Sequence, residues 1–284
     1  MIRVSDLPAL RAAVRDARAL GQPIRFVPTM GALHDGHASL LRAARASGGF
    51  VLASIFVNPT QFGPNEDFAK YPRTPDADAV LADASGTDAL WTPHAADMYP
   101  AGEGVRVSVG AIGVVWEGKF RPGHFDGVAT VVAKLLLATS ADVLYLGEKD
   151  YQQTLVVRRL VRDLLLPTEV VVVPTVREPD GLALSSRNRY LSAEERRAAA
   201  VIPRALRAAA ELATGGVRDA AAVRARLQAV LGLEPQLRVQ YAEVVDPETL
   251  APLATLTAPA RAIVAAYAGT TRLIDNHLLL PGMP

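Results

Sequence analysis

Two closely spaced histidines, His34 and His37, are the side chains best suited to chemistry in this chain. They stand in the segment PTMGALHDGH at 28–37. An apolar run at 24–27 has the pattern of a short buried strand, and the leucines of 38–45 fall on one face of a predicted helix. A turn from a strand into a helix offers backbone N–H groups and the positive end of the helix dipole to an anion. The spacing therefore predicts a phosphate-binding turn at the carboxyl edge of a sheet.

Two other interpretations of the histidine pair stay open. In the first, His34 caps the turn and His37 packs under the helix, which is the commoner fate of a single histidine. In the second, the pair binds zinc, although the chain has no cysteine and no third histidine nearby. The H-x-G-H spacing favours one shared ligand, because Gly36 lets a phosphate or a flat base approach the backbone and His37 can donate to a phosphate oxygen.

The composition limits the classes of function. With 284 residues, 50% of them hydrophobic and 21% charged, the chain can bury a large core, and its length predicts one large domain and a smaller one. No apolar run approaches the length of about 18 residues that crosses a bilayer, and residues 1–6 lack the apolar core of a secretory signal. We therefore expect a cytoplasmic protein without a membrane partner. A net charge of +1 gives no broad basic surface for nucleic acid, and the absence of cysteine excludes disulfides and thiol nucleophiles.

Lysine is rare among the 30 basic residues, so each lysine is a candidate for a role that needs a compact ammonium. Lys149 is the strongest candidate. It lies in GEKD at 147–150, between a strand-like run at 143–146 and a helix-like run at 151–164. We expect this loop to be a second ligand-binding turn. Lys134, by contrast, is expected on a helix in a solvated or packing role.

Further apolar runs at 50–57 and 170–173 complete a pattern in which strands alternate with helices. This pattern predicts an α/β fold with a Rossmann-like parallel sheet and helices on both faces. The run at 50–57 leads into a loop in which Asn58 and Gln61 carry amides. We expect this loop to form a third wall of the ligand cleft, although a solvated glutamine is equally compatible with the sequence.

A smaller α+β domain is predicted at the C-terminal end, because the pattern changes from about residue 181. We place the domains at 1–178 and 179–284. The predicted elements of the second domain are helices at 193–213 and 217–231 and short strands near 237–245, 262–268 and 271–274. Clusters of proline and glycine at 93–104 and 118–127 predict surface loops in the first domain.

Ser185, Ser186 and Arg187 place two hydroxyls beside a guanidinium after a Pro-Asp-Gly turn, a combination that suits a polyphosphate. By itself the trio is more simply a solvated turn. The chain has neither G-x-x-x-x-G-K-S/T nor G-x-G-x-x-G, so a P-loop and a dinucleotide fingerprint are excluded. The H-x-G-H turn with this loop resembles nucleotidyltransferases that act at the α-phosphate of ATP, where the protein contributes positioning and electrostatics rather than a nucleophile.

Six motifs occur in order along the chain: PTMGALHDGH (28–37), FVNPTQF (56–62), YPRT (71–74), RPGHF (121–125), GEKDYQQ (147–153) and LSSRN (184–188). Together, from about residue 20 to Asn276, they resemble the pantoate-β-alanine ligase family. The resemblance implies an ATP- and pantoate-binding domain at 1–178, a C-terminal lid close to the dimer contact at 179–284, and a homodimer.

The resemblance implies a ligation in two steps. ATP and pantoate give pantoyl adenylate and pyrophosphate, and the amine of β-alanine then attacks the acyl carbon to give pantothenate and AMP. ATP is thus a substrate, and Mg²⁺ is expected with it. Asp76 and Asp78 are candidate ligands of the ion, but a solvated helix start explains them equally well, so no metal residues are assigned.

The resemblance also implies site residues. Those assigned to ATP are Met30, Gly31, Ala32, Leu33, His34, Asp35, Gly36, His37, Gly147, Glu148, Lys149, Asp150, Val176, Leu184, Ser185, Ser186 and Arg187. Gln61 and Gln153 are assigned to pantoate, and Gln61 also to β-alanine. The catalytic set is His37, His34, Lys149, Ser185 and Arg187. The family treats His37 as a proton donor, and we interpret it as an electrostatic partner of the phosphate.

Two alternative functions remain. The first is an adenylyltransferase of the same superfamily that acts on a phosphorylated substrate, for which extra basic residues would be expected where 58–63 offers amides and a phenyl ring. The second is a non-catalytic nucleotide-binding module. Release of pyrophosphate from ATP with each candidate acid would separate the three.

Overall fold

The computed structural model describes residues 1–64, 66–102, 104–256 and 259–280. The chain forms two compact units. The first consists of Met1–Glu148 with Gln152–Pro174, and the second of Lys149–Tyr151 with Thr175–Pro284. The change of unit after Pro174 lies just before the boundary expected at residue 178. In addition, a short piece of the GEKD segment belongs to the second unit.

The first unit is built on a parallel sheet. Its described strands are β1 (Ile2–Val4), β2 (Ile24–Thr29), β3 (Phe50–Ile55), β4 (Ala89–Trp91), β5 (Val143–Gly147) and β6 (Glu169–Val173). They pair in the order β1-β4-β3-β2-β5-β6, and every pair is parallel. The predicted strands are therefore confirmed, except that β3 ends before Phe56. The central strands are apolar because both faces are covered, and Phe26, Leu52 and Leu144 are fully buried.

The helices of the first unit include three that were not predicted from the sequence. The described helices are α1 (Leu7–Ala19), α2 (Asp35–Ala46), α3 (Pro75–Ala84), α4 (Ala95–Met98), α5 (Glu117–Phe120), α6 (His124–Thr139) and α7 (Tyr151–Asp163). The three that were not predicted are α1, α4 and α5. The surface loop expected at 118–127 was wrong, because α5 and the first turn of α6 occupy it. α2 and α3 pack on the face of the sheet that carries Val27 and Val51, whereas α1 and α6 pack together and contact β2.

The order of the strands fixes where a ligand can bind. From β2 the chain runs outward through β3 and β4 on one side, and β5 and β6 lie on the other side of β2. Such a reversal opens a crevice at the carboxyl ends of the strands on either side of it. The turn that carries His34 and His37 (30–37, the histidine turn) follows β2, and the loop that carries Asn58 and Gln61 (58–63, the amide loop) follows β3. Gly147 ends β5. Three of the predicted segments therefore begin at this edge.

The second unit combines helices with an antiparallel sheet. Its described elements are α8 (Ala193–Ala199), α9 (Val201–Thr214), α10 (Ala220–Leu231), β7 (Leu237–Val245), β8 (Ala260–Ala268) and β9 (Thr271–Leu280). The strands pair in the order β7-β8-β9. Ile202, Leu206, Leu227 and Val264 are among the buried side chains that join the helices to the sheet. The α+β character that was predicted is confirmed.

Three details of this unit differ from prediction. The helix expected at 193–213 is interrupted at Ala200, because Pro203 has no N–H to donate to the carbonyl of Ala199. α10 begins after Asp219, whose side chain accepts the N–H of Ala221 at 2.9 Å, rather than at residue 217. β9 extends to Leu280. Among the described helices, none combines the length and the apolar character that a membrane crossing requires.

Candidate active site

The histidine turn holds both rings at the N-terminus of α2. Nδ1 of His34 accepts the N–H of Gly36 at 3.1 Å, and Nδ1 of His37 accepts the N–H of His34 at 3.2 Å. The ring centroids are 4.1 Å apart. Because each Nδ1 accepts a hydrogen bond, a neutral ring carries its proton on Nε2, and both rings are N–H donors at that atom. His34 therefore does cap the helix, and the cap itself assigns each ring the tautomer that a phosphate ligand needs.

The backbone between β2 and α2 is fixed by a carboxylate from another helix. Gly31 and Ala32 have φ values of +80° and +50°. Asp78 on α3 is buried, and its carboxylate accepts the N–H of Ala32 at 3.0 Å and that of Leu33 at 2.7 Å. Thr74 donates its hydroxyl to the same carboxylate at 2.9 Å. Asp78, considered above as a candidate metal ligand, thus shapes the histidine turn.

The described residues offer no cluster of metal-binding side chains. Within 1–64, 66–102, 104–256 and 259–280, no three His, Cys, Asp or Glu side chains are grouped so that they could hold a metal ion.

The amide loop presents Gln61 with a defined orientation. Oδ1 of the buried Asn58 accepts the hydroxyls of Tyr99 at 2.7 Å and of Thr60 at 3.0 Å. Its Nδ2 therefore faces Oε1 of Gln61, at 3.0 Å. The remaining Nε2 of Gln61 lies 3.0 Å from Sδ of Met30. The residue assigned to pantoate thus turns N–H donors toward a residue assigned to ATP.

Close contact with α6 holds the amide loop. Nδ2 of Asn58 also donates to the carbonyl oxygen of Gly127 at 3.2 Å. A Cβ at Gly127 would lie 2.3 Å from the carbonyl oxygen of Thr60 and 2.9 Å from the nitrogen of Gln61. No side chain fits between the helix and the loop, so this position requires glycine.

A network of the buried His124 and the partly buried Arg121 and Glu66 holds the backbone of Gln61. Arg121 makes a bidentate ion pair with Glu66, at 2.7 and 2.6 Å, and its Nη1 lies 3.0 Å from Nε2 of His124. Nδ1 of His124 lies 2.8 Å from the carbonyl oxygen of Gln61. Since Nε2 accepts from the guanidinium, His124 is neutral and donates its Nδ1–H to that carbonyl. Arg121 and His124 belong to the RPGHF motif but were not predicted as site residues, and Glu66 lies outside the six motifs.

The charges of this network agree with its hydrogen bonds. Burial, and then the positive charge of Arg121, lower the pKa of His124 from 6.5 to about 4. Burial alone would raise the pKa of Glu66, but its hydrogen bonds to Arg121 and the charge of that residue outweigh burial, and the pKa is lowered. At neutral pH the network therefore contains a carboxylate, a guanidinium and an uncharged imidazole.

The two neighbouring glutamines of α7 differ in their roles. Gln152 is buried, and its amide donates to the carbonyl oxygens of Ile112 and Val115 at 2.7 and 2.8 Å and accepts the N–H of Glu117 at 3.0 Å. It ties α7 to the segment before α5. Gln153, the residue assigned to pantoate, is half-buried.

In the second unit, Lys149 is held by its backbone. Its carbonyl oxygen accepts Nδ2 of Asn276 at 3.1 Å, and its ammonium lies 3.3 Å from Oδ1 of Asp150. The lysine side chain is about four-fifths buried (21% exposed). A largely buried ammonium beside a carboxylate can exchange that partner for a phosphate oxygen, since both form charge-assisted hydrogen bonds.

The LSSRN segment is folded rather than a solvated turn. The N–H of Leu184 donates to the carbonyl oxygen of Val176 at 3.0 Å, which brings two residues assigned to ATP together. Ser185 caps the following turn by accepting the N–H of Arg187 at 3.2 Å, and Ser186 is buried.

The end of the LSSRN segment is anchored by charge. Asn188 donates to Glu178 at 2.7 Å, and Arg196 makes a bidentate contact with the same carboxylate. Hydrogen bonds from Arg196 lower the pKa of Glu178, so it stays ionised. The second unit therefore holds Lys149 and the segment around Ser185 and Arg187 each in a defined local structure.

Comparisons with known proteins agree over nearly the whole chain. Residues 3–278 match the family model described as pantoate-beta-alanine ligase. A pantothenate synthetase from Acidobacterium capsulatum is 53% identical, with 98% of this chain and 97% of the relative covered. A solved pantothenate synthetase from Thermus thermophilus has a TM-score of 0.95 at 50% identity and covers 99% of this chain and 100% of its own.

A more distant solved structure carries ligands. The pantoate-beta-alanine ligase from Francisella tularensis, complexed with beta-gamma ATP and β-alanine, has a TM-score of 0.80 at 37% identity, with 98% of each chain covered. The family model and the relatives span nearly the full length of the chain and retain its fold. The chain therefore belongs to the pantoate-β-alanine ligase family.

Proposed function

We propose that this chain catalyses the ATP-dependent condensation of pantoate with β-alanine, through pantoyl adenylate, to give pantothenate, AMP and pyrophosphate. Membership of the ligase family gives the reaction class. The observation that carries the proposal in this chain is the pair of Nε2–H donors that His34 and His37 present at the N-terminus of α2. A helix N-terminus with two added donors is suited to a polyphosphate.

In the first step a carboxylate oxygen of pantoate attacks the α-phosphorus of ATP. A P–O bond forms, and the bond to the pyrophosphate oxygen breaks, so no protein nucleophile is needed. Negative charge grows on the phosphate oxygens, and His34 and His37 stabilise it by donating hydrogen bonds that the capping contacts have already oriented. Lys149, Ser185 and Arg187 keep their assignment to ATP as part of this proposal.

Gln61 is proposed to orient pantoate. Asn58 donates to Oε1 of Gln61, which fixes the orientation of the amide and leaves Nε2 as the atom that can donate to pantoate. A donor suits the oxygens of pantoate, whether carboxylate or hydroxyl. Gln153 is proposed as a second pantoate ligand. The neighbouring Gln152 is not a candidate, because its amide is fully used in the scaffold.

In the second step the amine of β-alanine attacks the acyl carbon of the adenylate. A C–N bond forms, the C–O bond to AMP breaks, and the amine loses a proton. Gln61 remains beside the acyl group and contributes to the orientation of β-alanine. Positioning of two bound substrates accounts for this step without a covalent enzyme intermediate.

Mg²⁺ is proposed to enter as the magnesium complex of ATP. Asp78 has both carboxylate oxygens engaged with backbone N–H groups, so we do not assign it to the ion. Mg²⁺ keeps much of its water and binds readily to substrate phosphates. A homodimer and a cytoplasmic location are proposed on the resemblance to the family alone.

Isotope exchange tests the proposal. Labelled pyrophosphate should be incorporated into ATP when pantoate is present and β-alanine is absent. Full turnover with all three substrates but no exchange would exclude a free adenylate step. Exchange that needs a phosphorylated acceptor instead of pantoate would identify an adenylyltransferase. ATP binding without pyrophosphate release under any of these conditions would identify a non-catalytic module.

A further inference from the structure

Two adjacent residues of β9 contact two separate segments that are assigned to ATP. Asp275 is buried and accepts both Nη atoms of Arg177, at 2.6 and 2.9 Å. Arg177 forms an antiparallel bridge with Ala183. It directly follows Val176, which is assigned to ATP. Asn276 is also buried and donates Nδ2 to the carbonyl oxygen of Lys149 at 3.1 Å. Two neighbouring residues of β9 thus anchor both segments.

The orientation of the Asn276 amide is set by Arg261 on β8. Arg261 is 6% exposed, and its Nη1 donates to Oδ1 of Asn276. Because that oxygen accepts from the guanidinium, Nδ2 faces the carbonyl of Lys149. The guanidinium also lies 3.9 Å from the centroid of the Tyr151 ring. Arg261 thereby contacts Tyr151 directly and reaches Lys149 through Asn276.

The far end of the same segment is fixed as well. The hydroxyl of Tyr151 donates to the carbonyl oxygen of Pro247 at 2.7 Å. Lys149 itself has a flexible four-carbon stem, and its nearest ionic partner is its own neighbour, Asp150, at 3.3 Å. The position of the ammonium therefore depends on where the backbone of 149–151 is held, and Asn276 supplies the hydrogen bond to Lys149.

We propose that Asn276 and Arg261 are positioning residues of the adenylation step, which act by fixing the backbone of Lys149 and so the reach of its ammonium. This inference rests on the proposed function, in which Lys149 contacts ATP. Neither residue needs to touch a substrate. A misplacement of about 1 Å in a group that stabilises a transition state lowers a rate by roughly a hundredfold, so loss of one backbone anchor is measurable.

Asn276→Asp is the informative substitution. The aspartate has the shape of asparagine and keeps an oxygen for Arg261, but it replaces the N–H that faces the carbonyl of Lys149 with a second oxygen. Two acceptors cannot share a hydrogen bond, so the segment shifts. Gln240→Glu is a matched control, because Oε1 of Gln240 likewise accepts from an arginine, Arg272, at 2.9 and 2.6 Å.

The experiment is a double-mutant cycle in the full chain, with pantoate-dependent pyrophosphate exchange as the readout. The four proteins are the wild type, Asn276→Asp, Lys149→Ala and the double variant. We expect Asn276→Asp to lower exchange by about thirtyfold when Lys149 is present and by at most about threefold when it is alanine. The half-saturating pantoate concentration should stay nearly constant, and Gln240→Glu should be silent.

Equal losses in both backgrounds, or no loss in either, would overturn the proposal, since the two residues would then not act through Lys149. If Asn276→Asp lowers the melting temperature below the assay temperature, Arg261→Lys takes its place in the same cycle. Failure of both variants to fold would make the pair a stability element and would also overturn it. Absence of exchange in the wild type would instead contradict the proposed function itself.

Discussion

The buried ring of His124 donates Nδ1–H to the backbone carbonyl oxygen of Gln61 over 2.8 Å. This bond connects the residue proposed to orient pantoate with the Glu66–Arg121 ion pair. Because Nε2 of the same ring accepts from Arg121, the arrangement holds only while the imidazole is uncharged. The loop that carries Gln61 is therefore sensitive to protonation of His124, a residue that is not itself proposed to contact a substrate.

The stability of the protein should fall as the pH is lowered from about 6.5 toward 4. The pKa of His124 is about 4 in the folded chain and 6.5 ordinarily, so the unfolded chain takes up a proton over this window and the folded chain does not. The loss is at most on the order of 3 kcal/mol. Denaturant unfolding at several pH values measures it.

His124→Asn is the variant for comparison. Its amide nitrogen replaces Nδ1 as the donor to Gln61, but it does not titrate. The stability of this variant should change less with pH above about pH 5, where the lowered pKa of Glu66 still leaves that carboxylate ionised. Parallel stability curves for the two proteins would show that His124 does not cause the pH dependence.

Substitution of His37 by asparagine should separate the cap from the chemistry. The Oδ1 of asparagine replaces Nδ1 as the acceptor for the N–H of His34, so α2 keeps its cap, but the Nε2–H donor is lost. We expect the melting temperature to change little and pyrophosphate exchange to fall by roughly a hundredfold. His37→Ala should show the same loss and, in addition, about 1 kcal/mol of destabilisation from the missing cap. Normal exchange by the asparagine variant would make His37 a structural residue only.

Lys149→Arg should lose most of the exchange activity, although charge is conserved. The ammonium is a compact point charge, whereas a guanidinium is wider and binds in a planar, bidentate manner. Lys119→Arg is the control, because Lys119 is exposed on α5. Equal activity of the two variants would show that Lys149 is only part of a charged loop.

Lys134 lies on a helix, α6, as expected, but it is not a suitable control for Lys149 because its ammonium has partners of its own. Its ammonium donates to the carbonyl oxygen of Met98 at 2.5 Å and lies 4.3 Å from the centroid of the Tyr99 ring. Tyr99 in turn donates to Asn58, which orients Gln61. A change at Lys134 therefore reaches the amide loop.

Gly127→Ala should weaken the binding of pantoate, although residue 127 is not proposed to contact pantoate. The new methyl group would lie 2.3 Å from the carbonyl oxygen of Thr60, so either α6 or the amide loop must move. We expect a destabilisation of about 1–3 kcal/mol and a raised KM for pantoate. Gly104→Ala is the control, since nothing lies within 4 Å of a Cβ there. An unchanged KM for pantoate in a destabilised Gly127→Ala protein would indicate that α6 moves to make room for the methyl group and that the amide loop keeps its position.

Local patterns were sufficient to predict four of the six strands of the parallel sheet and the histidine turn, but not the three-residue strands β1 and β4. The apolar runs of β2, β3, β5 and β6 are short, buried and bounded by clear turns, and the leucines of α2 follow one helical face. Such signals lie within a few neighbouring residues. The capping role of His34 was likewise foreseen as an alternative, although not its effect on the tautomer.

Contacts between distant parts of the chain were not predictable in this way. Asp78 shapes the turn at Ala32 from 46 positions away, and Asn276 anchors Lys149 from 127 positions away. No periodicity encodes such pairs. The glycine at 127 was interpreted as a loop signal, because a sequence shows that a side chain is absent but not that a backbone occupies its space. The break at Ala200 follows from Pro203 and could have been foreseen.

Because 149–151 belong to the second unit, dividing or recombining the gene after Pro174 separates this short segment from the residues that hold it. A fragment that ends at Pro174 contains the whole parallel sheet, yet it lacks Asn276, Arg261 and Pro247, the partners of that short segment. Chimeras between relatives that exchange sequence after Pro174 would combine Lys149 from one parent with anchors from the other. Functional crossovers should therefore require parents that match at both places, even though the two places are far apart in the reading frame.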